Sequence, residues 1–317
     1  MSVVQIIFRI LLGAFFIVSG YLKLFPAEML ELSIAETGWF SWEQSIYLAR
    51  LLIGFEFFIG VMLIAGVYKK LTWIVCISTL VLFTFYLSYM ALCQPQIADC
   101  GCMGMQIQIS PVSSIIKNLI LIIICIGIWF FETRFPAKWI NDYINNKLIV
   151  ILGVVASVSL PFLLNPVEVD RETLLAQNPV YKNKVELSDD SFLTWHSKDT
   201  TYISGGKKLV CYFSPSCRFC RLMARKIMVF RKQLDVDFPV YFLFAGNPDA
   251  REKLEPFVSE TKTESIPMAI IGKEEFFSVS GPNLPVVFYI DGDSIVDRDN
   301  FRTLSDERIL TFFGIEK

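Results

Sequence analysis

The stretch "KKLVCYFSPSCRFC" at residues 207–220 decides how the second half of this chain is read. Its first eight residues form a short apolar run of the kind found in a strand buried on both faces. From Cys217 to about Leu234 the pattern is helical, so the C-x-x-C pair Cys217 and Cys220 falls where a strand meets a helix. A cysteine at a helix N-terminus faces unpaired backbone N–H groups and the positive end of the dipole, both of which favour an anion. A thiolate there has its pKa lowered, to about 3.5–7.5 at such sites. Arg218, inside the motif, adds positive charge, and Cys220, one turn later, is placed to attack a mixed disulfide formed at Cys217. A C-x-x-C pair by itself is also compatible with half a zinc site or a structural disulfide. Against zinc, the chain has one histidine, His196, and its polar half has no second C-x-x-C. We therefore read a redox dithiol that needs no metal. Cys211, inside the apolar strand, reads as a buried packing residue.

Working outward from this motif, "PVYFLFAG" predicts a second strand, 248–261 a helix, and "IPMAIIG" a third strand. "LPVVFYIDGDSIVDRDNF" predicts a hairpin turning at Asp291–Gly292. "SDERILTFFG" predicts a helix capped at Ser305 and ended by Gly314. Alternating strands and helices followed by a hairpin indicate an α/β layer fold around a central sheet. With "YFSPSCRFC" after a strand and "NLPVVFYIDG" far downstream, residues of roughly 187–317 resemble the thioredoxin fold in its periplasmic thiol–disulfide branch. The resemblance implies that Pro285, preceded by Leu284, is cis, packs beside the active cysteines and helps to present substrate backbone. Ser216 stands where that family commonly has Trp, and Val286 where Thr is frequent. Those departures bear on redox potential and partner choice, not on the fold.

The first half is of another kind. Of 317 residues 54% are hydrophobic and 19% charged, below the usual quarter. The mean hydropathy of +0.51 indicates a membrane protein embedded in a lipid bilayer. The net charge of −2 offers no basic surplus for nucleic acid. Apolar runs long enough to span a bilayer fall at roughly 3–25, 47–67, 71–93, 111–131 and 147–164. The first is read as an uncleaved anchor, since no small-residue cleavage site is evident. The fifth is the shortest and contains Pro161; a buried amphipathic helix is the alternative there. Lys69, Lys70, Arg134, Lys138 and Lys147 gather at one set of loops, whereas the first loop carries Glu28, Glu31, Glu36 and Glu43. By the positive-inside rule the N-terminus is cytoplasmic. Five crossings then place the 94–110 loop and the whole second half outside.

"RILLGAFFIVSGYLKLFP", "ARLLIGFEFFIGVMLIAGVYKK" and "DCGCMG" resemble the MauE/DoxX group of membrane proteins over about residues 7–131, with Met103 where Phe is frequent. The resemblance implies a link to disulfide formation in exported proteins, often beside a thioredoxin-like partner; here the two lie on one chain. Cys100 and Cys102, separated by Gly101, are close enough to bond in a small ring, which suits a relay; a disulfide stapling the loop is the alternative. Cys93 is a third candidate, or simply a small residue ending the third span. Lys23, Arg50, Glu56 and Lys117 fall within or at the outer ends of spans, where ionisable groups are costly. Together they suggest a polar pocket under the cysteine loop, suited to a quinone head group. The alternative is that Lys23 and Lys117 snorkel and Arg50 pairs with Glu56. Cys76 and Cys125 share a depth near the inner face and read as packing residues, or as the inner relay of a conduit.

The sequence thus predicts a membrane α-helical bundle, a four-helix core plus a fifth spanning helix, followed by an α/β thioredoxin-like domain. The divisions are 1–146 for the four-helix MauE/DoxX-like domain, 147–186 for the fifth helix and linker, and 187–317 for the thioredoxin-like domain. The expected function is thiol–disulfide oxidoreduction in the cytoplasmic membrane, acting on exported-protein thiols or disulfides. Electrons would pass from Cys217/Cys220 to Cys100/Cys102 and on to a quinone. An outward reductant conduit and a maturation factor without turnover are the alternatives.

Overall fold

The structure is a computed structural model that describes residues 2–93, 104, 109–134, 146–167, 171–176, 192–193, 200–201, 206–246 and 252–315. It divides into two compact units, Met1–Val167 and Glu168–Lys317.

The first unit is helical: α1 (Ser2–Leu24), α2 (Glu28–Ala35), α3 (Trp42–Ala65), α4 (Lys69–Cys93), α5 (Pro111–Arg134) and α6 (Asn146–Leu164). Among the described residues, four helices are long and apolar enough to cross a membrane, over Val4–Leu24, Trp42–Ala65, Lys69–Leu92 and Pro111–Arg134, while the apolar part of α6, Val150–Leu164, is shorter. Without a hydrophobic drive between helices in lipid, close backbone approach is what holds such bundles, and small residues permit it. At the α1–α3 crossing, a Cβ on Gly60 would lie 2.8 Å from the Gly13 carbonyl oxygen. The α3–α6 contact is tighter still: a Cβ on Gly54 would collide with the Ser157 carbonyl oxygen. Every fourth residue of α6, Gly153, Ser157 and Pro161, followed by Asn165, is buried, while Leu148, Ile151, Leu152, Val155 and Val158 remain exposed as a lipid-facing side.

Because the obstacle at Gly54 is backbone, a Gly54→Ala chain is expected to lose about 1–3 kcal/mol through overpacking. Gly127→Ala, with nothing within 4 Å of the added methyl, is expected to be neutral or slightly stabilising. Thermal unfolding of the two chains in the same detergent checks the difference.

The two ends of the bundle are fastened by polar groups. At one end Asn165 donates from Nδ2 to the Leu24 carbonyl (2.9 Å) and Arg50 Nε donates to the Asn165 carbonyl (3.0 Å). The C-terminal ends of α1 and α6 therefore lie beside the N-terminal part of α3. At the other end Arg9 pairs with Glu132 at 3.2 Å and Trp73 Nε1 donates to Glu132 at 2.7 Å, joining α1, α4 and α5. The acidic first loop of the sequence reading contains a helix: all eight residues of α2, including Glu28 and Glu31, are buried.

The second unit contains α7 (Arg171–Ala176), β1 (Phe192–Leu193), β2 (Thr200–Thr201), β3 (Lys207–Phe213), α8 (Arg218–Leu234), β4 (Val240–Ala245), α9 (Glu255–Thr261), β5 (Met268–Ile271), α10 (Lys273–Ser280), β6 (Val286–Asp291), β7 (Ser294–Asp299) and α11 (Asp306–Phe313). The strands form one sheet in the order β2-β1-β5-β4-β3-β6-β7. β3, β4 and β5 are parallel, β6 is antiparallel to β3, and β7 closes the predicted hairpin. Gly292 sits at φ 60° in that turn, the left-handed backbone such a tight connection requires. Strand β3 is buried from Lys208 onward, with Val210 and Tyr212 in a core shared with Leu243, Phe276 and Phe288. This mixed sheet, flanked by helices and with the C-x-x-C after β3, an interior strand between β4 and β6, is a thioredoxin-like α/β fold.

Several elements depart from the sequence reading. "KEEFFSVS" forms α10, which was not anticipated. Of the helix expected over 248–261, α9 covers Glu255–Thr261 after a 3₁₀ turn at 252–254, and 247–251 lie outside the described residues. Within the stretch read as linker, Arg171 of α7 ion-pairs with Asp297 and, at 3.1 Å, with Asp299. Asp299 is fully buried and also accepts from Tyr289 (2.7 Å) and Arg308 (2.8 Å). That carboxylate network fixes α7 to the β6–β7 hairpin, so this helix belongs to the second unit.

Candidate active site

Cys217 is the N-cap of α8, in extended backbone at φ −81° and ψ 119°. Its N–H donates to the Ser214 carbonyl at 3.1 Å, closing the turn after β3, and its sulfur accepts from the Cys220 N–H at 3.3 Å. Both thiols are free, but they differ in environment: Cys217 is partly exposed and Cys220 is fully buried. The Cys217 thiol is lowered to about 6. The Cys220 side chain hydrogen-bonded to it contributes most; burial opposes the shift, and the backbone N–H groups of Cys220 and Phe219 and the charge of Arg221 assist it. Burial and the neighbouring Cys217 push Cys220 well up, although the Ser214 N–H reaches its sulfur at 3.4 Å. An exposed thiolate beside a buried protonated thiol is the division of labour that disulfide exchange needs: one attacks, the other resolves.

Positive charge reaches Cys217 by a different residue from the one read in the sequence. Arg218 is exposed, whereas Arg221, four positions after Cys217 and so on the same helix face, contributes to lowering the thiol. Arg221 also donates twice to the Pro215 carbonyl (3.2 and 3.0 Å) and pairs with Glu260 of α9 at 2.6 Å. It ties the active loop to a second helix. Its i, i+4 spacing from Cys217 was visible in the sequence, but nothing there showed the loop carbonyl turned toward it. On the other side, Phe219 packs on Phe301 with ring centroids 4.6 Å apart.

The Leu284–Pro285 peptide is cis. β6 begins opposite the end of β3, with Val286 across from Tyr212. One step further along this register brings Pro285 level with the point where β3 enters the Ser214–Cys217 turn. Cys211 is fully buried in β3, and burial drives its thiol well up, which leaves it a packing residue.

The pH dependence of Cys217 has a definite sign. A folded-state pKa of about 6 lies below the free-cysteine value of about 8.5. The thiolate therefore stabilises the reduced domain at pH above the free value, and that contribution is lost as pH falls through 6. Alkylation of Cys217 is expected to titrate with a midpoint near 6 and to fall about tenfold per pH unit below it. The Arg221→Ala chain is expected to titrate higher. Mass spectrometry of the Cys217 peptide after timed iodoacetamide labelling checks both.

The charged residues assigned to a membrane pocket are paired differently from the expectation. Lys23 donates to both Glu56 oxygens (2.6 and 2.8 Å) and to Ser19 Oγ (2.8 Å). Arg50 pairs with Glu31 at 2.5 Å and donates to the Ile46 carbonyl at 3.0 Å. Arg50 does not take Glu56, because a separation of six residues on α3 points the two side chains to different helix faces. Lys117 Nζ lies 6.0 Å from the centroid of the Phe15 ring. Cys100, Cys102 and His196, and the side chain of Cys93, lie outside the described residues.

The fold and this site define a class: a thioredoxin-like dithiol domain carried on a membrane helical bundle. Residues 1–131 match the family described as Methylamine utilisation protein MauE. Among curated proteins, the chain is similar to Protein TlpB of Flavobacterium psychrophilum, 26% identical over 329 aligned positions that cover 89% of this chain and 87% of that protein. Solved structures similar to the chain include a secreted Mycobacterium tuberculosis disulfide oxidoreductase homologous to E. coli DsbE, at 12% identity and TM-score 0.30, covering 39% of this chain and 93% of that one. StoA from Bacillus subtilis matches at 13% identity and TM-score 0.29, covering 40% and 98%. The resemblance of the first half to MauE is thus borne out over residues 1–131, and the sheet order and the placement of the C-x-x-C give the second half its thioredoxin-like fold.

Proposed function

We infer that this chain promotes disulfide formation in exported proteins. A substrate thiolate attacks the Cys217–Cys220 disulfide, the substrate's second thiol releases the mixed disulfide, and the pair is left as the dithiol. Cys100 and Cys102 then take the two electrons and pass them to a quinone-class acceptor, with two protons completing the quinol. The observation that carries this reading is the contrast between Cys217, accessible and low in pKa, and buried, protonated Cys220. A stabilised thiolate favours the reduced form of the pair and makes its disulfide the better oxidant. The bundle supports the topology: α6 runs antiparallel to α3 and ends beside the C-terminus of α1. Read with a cytoplasmic N-terminus and with the shorter α6 as the fifth crossing, this arrangement supports an α4–α5 loop and a second unit outside the cytoplasmic membrane.

Alkylation trapping in intact cells tests the direction. Cys217 and Cys220 are expected to be mostly oxidised. If they are mostly reduced, the flow is outward and the disulfide-forming reading fails.

A further inference from the structure

A second thiol pair lies inside the bundle. Cys76 of α4 and Cys125 of α5 have their sulfurs 3.8 Å apart, and both residues have zero exposure. A disulfide needs about 2.05 Å, so the two sulfurs must close by about 1.8 Å to bond. We propose that Cys76 and Cys125 are a redox-active dithiol that exchanges electrons with a quinone-class carrier dissolved in the bilayer. This rests on the reading of the chain as a thiol–disulfide protein.

Its position fixes the kind of partner. Cys76 and Cys93 are the seventh residue after the start and the last residue of the same helix, Lys69–Cys93. They are separated by about 25 Å along its axis. Thiol exchange requires contact, so the inner pair cannot trade directly with cysteines at that end of α4. A water-soluble protein thiol is also too bulky to reach sulfurs buried between membrane helices, whereas a flat ring in the bilayer needs only a gap between side chains. What remains is a mobile, apolar, two-electron carrier. A groove of about 440 Å³ opens between α1 and α5, lined by Gln5, Phe8, Ile124, Ile128 and Phe131. Ile128 packs against the same core cluster that holds Cys76 and Cys125. The lining has one polar feature. Gln5 is 7% exposed, its Nε2 donates to the Phe131 carbonyl at 3.2 Å, and its Oε1 has no hydrogen-bond partner among the described residues. A buried acceptor without a donor is costly, and a quinol hydroxyl would supply that donor.

The step balances as follows. The two S–H bonds break and one S–S bond forms between Cys76 and Cys125. Two electrons and two protons convert the quinone to its quinol. The reverse step reduces the pair.

The test uses the full chain in detergent with Cys93, Cys100, Cys102, Cys217 and Cys220 replaced by serine, incubated with a short-chain naphthoquinone. One quinol per chain and a Cys76–Cys125 linked peptide are the expected result, with Cys76→Ala in that background losing both. Gln5→Leu is expected to slow quinol formation about three- to tenfold, with diamide-driven linkage unchanged. Linkage by diamide but not by the quinone overturns the assignment, as does quinol formation equal to that of the Cys76→Ala chain. The unsubstituted chain separates this from the wider reading. If Cys217 and Cys220 cycle while Cys76 and Cys125 stay reduced, only the present inference fails. If the inner pair cycles and the outer one does not, the proposed function fails instead.

Discussion

Replacing Cys217 by serine is expected to abolish disulfide exchange, a loss of about a thousandfold or more, on the scale seen when an enzyme's nucleophile is removed. The reason is local. Cys217 is the partly exposed sulfur of the pair and the one lowered to about 6, so it is the thiolate form near neutral pH. A serine hydroxyl at the same cap keeps the helix start but offers no sulfur to attack. Cys220→Ser acts differently: the first attack proceeds, and the mixed disulfide persists because its resolver is gone. Turnover of a disulfide substrate, read against accumulation of the mixed disulfide on a non-reducing gel, distinguishes the two variants. Equal residual turnover in both would remove Cys217 from its assigned role.

The second large effect is expected in the bundle. Lys23 and Glu56 form an ion pair with both side chains more than nine-tenths buried. Such a pair is a poor source of net stability, yet removing one member strands the other charge, at a cost of about 3–5 kcal/mol. Glu56→Gln is therefore expected to destabilise the full chain in detergent by about that much. The double change Lys23→Met with Glu56→Leu is expected to recover most of it, since well-packed apolar side chains often replace a buried pair at little cost. Denaturant unfolding of the two variants provides the comparison. If the double change were as damaging as the single one, the pair would have a role beyond mutual neutralisation.

How much of this was legible in the sequence depends on whether the signal is local. The strand at 207–213, the helix starting beside Cys217, the Asp291–Gly292 turn and the Ser305 cap all rest on short-range pattern and turn chemistry, and each appears in the structure. The pairing of charges did not. Arg50 finds Glu31 and Lys23 finds Glu56 because α2 folds in against α3 and α1 runs alongside it, and nothing in residue spacing reports that. The acidic stretch after α1 reads as a loop in the sequence; residues 28–35 of it form the buried helix α2, which contributes Glu31 to Arg50. Arg221 was overlooked for a related reason. Its importance comes from the Pro215 carbonyl and from Glu260, thirty-nine residues away, which only the packing of α9 against α8 brings near. Likewise Cys76 and Cys125, forty-nine residues apart, share a depth in the sequence as packing residues or an inner relay, but residue spacing does not report that their sulfurs lie side by side.

The central claim is that the two cysteine clusters of this chain exchange electrons with one another. The direct measurement is mass spectrometry of the Cys220→Ser chain, acid-quenched and alkylated from cells. The account predicts a peptide in which Cys217 is disulfide-bonded to Cys100 or Cys102. Recovery of Cys217 only as a free thiol or bonded to client proteins, with Cys100 and Cys102 never joined to it, would contradict the account.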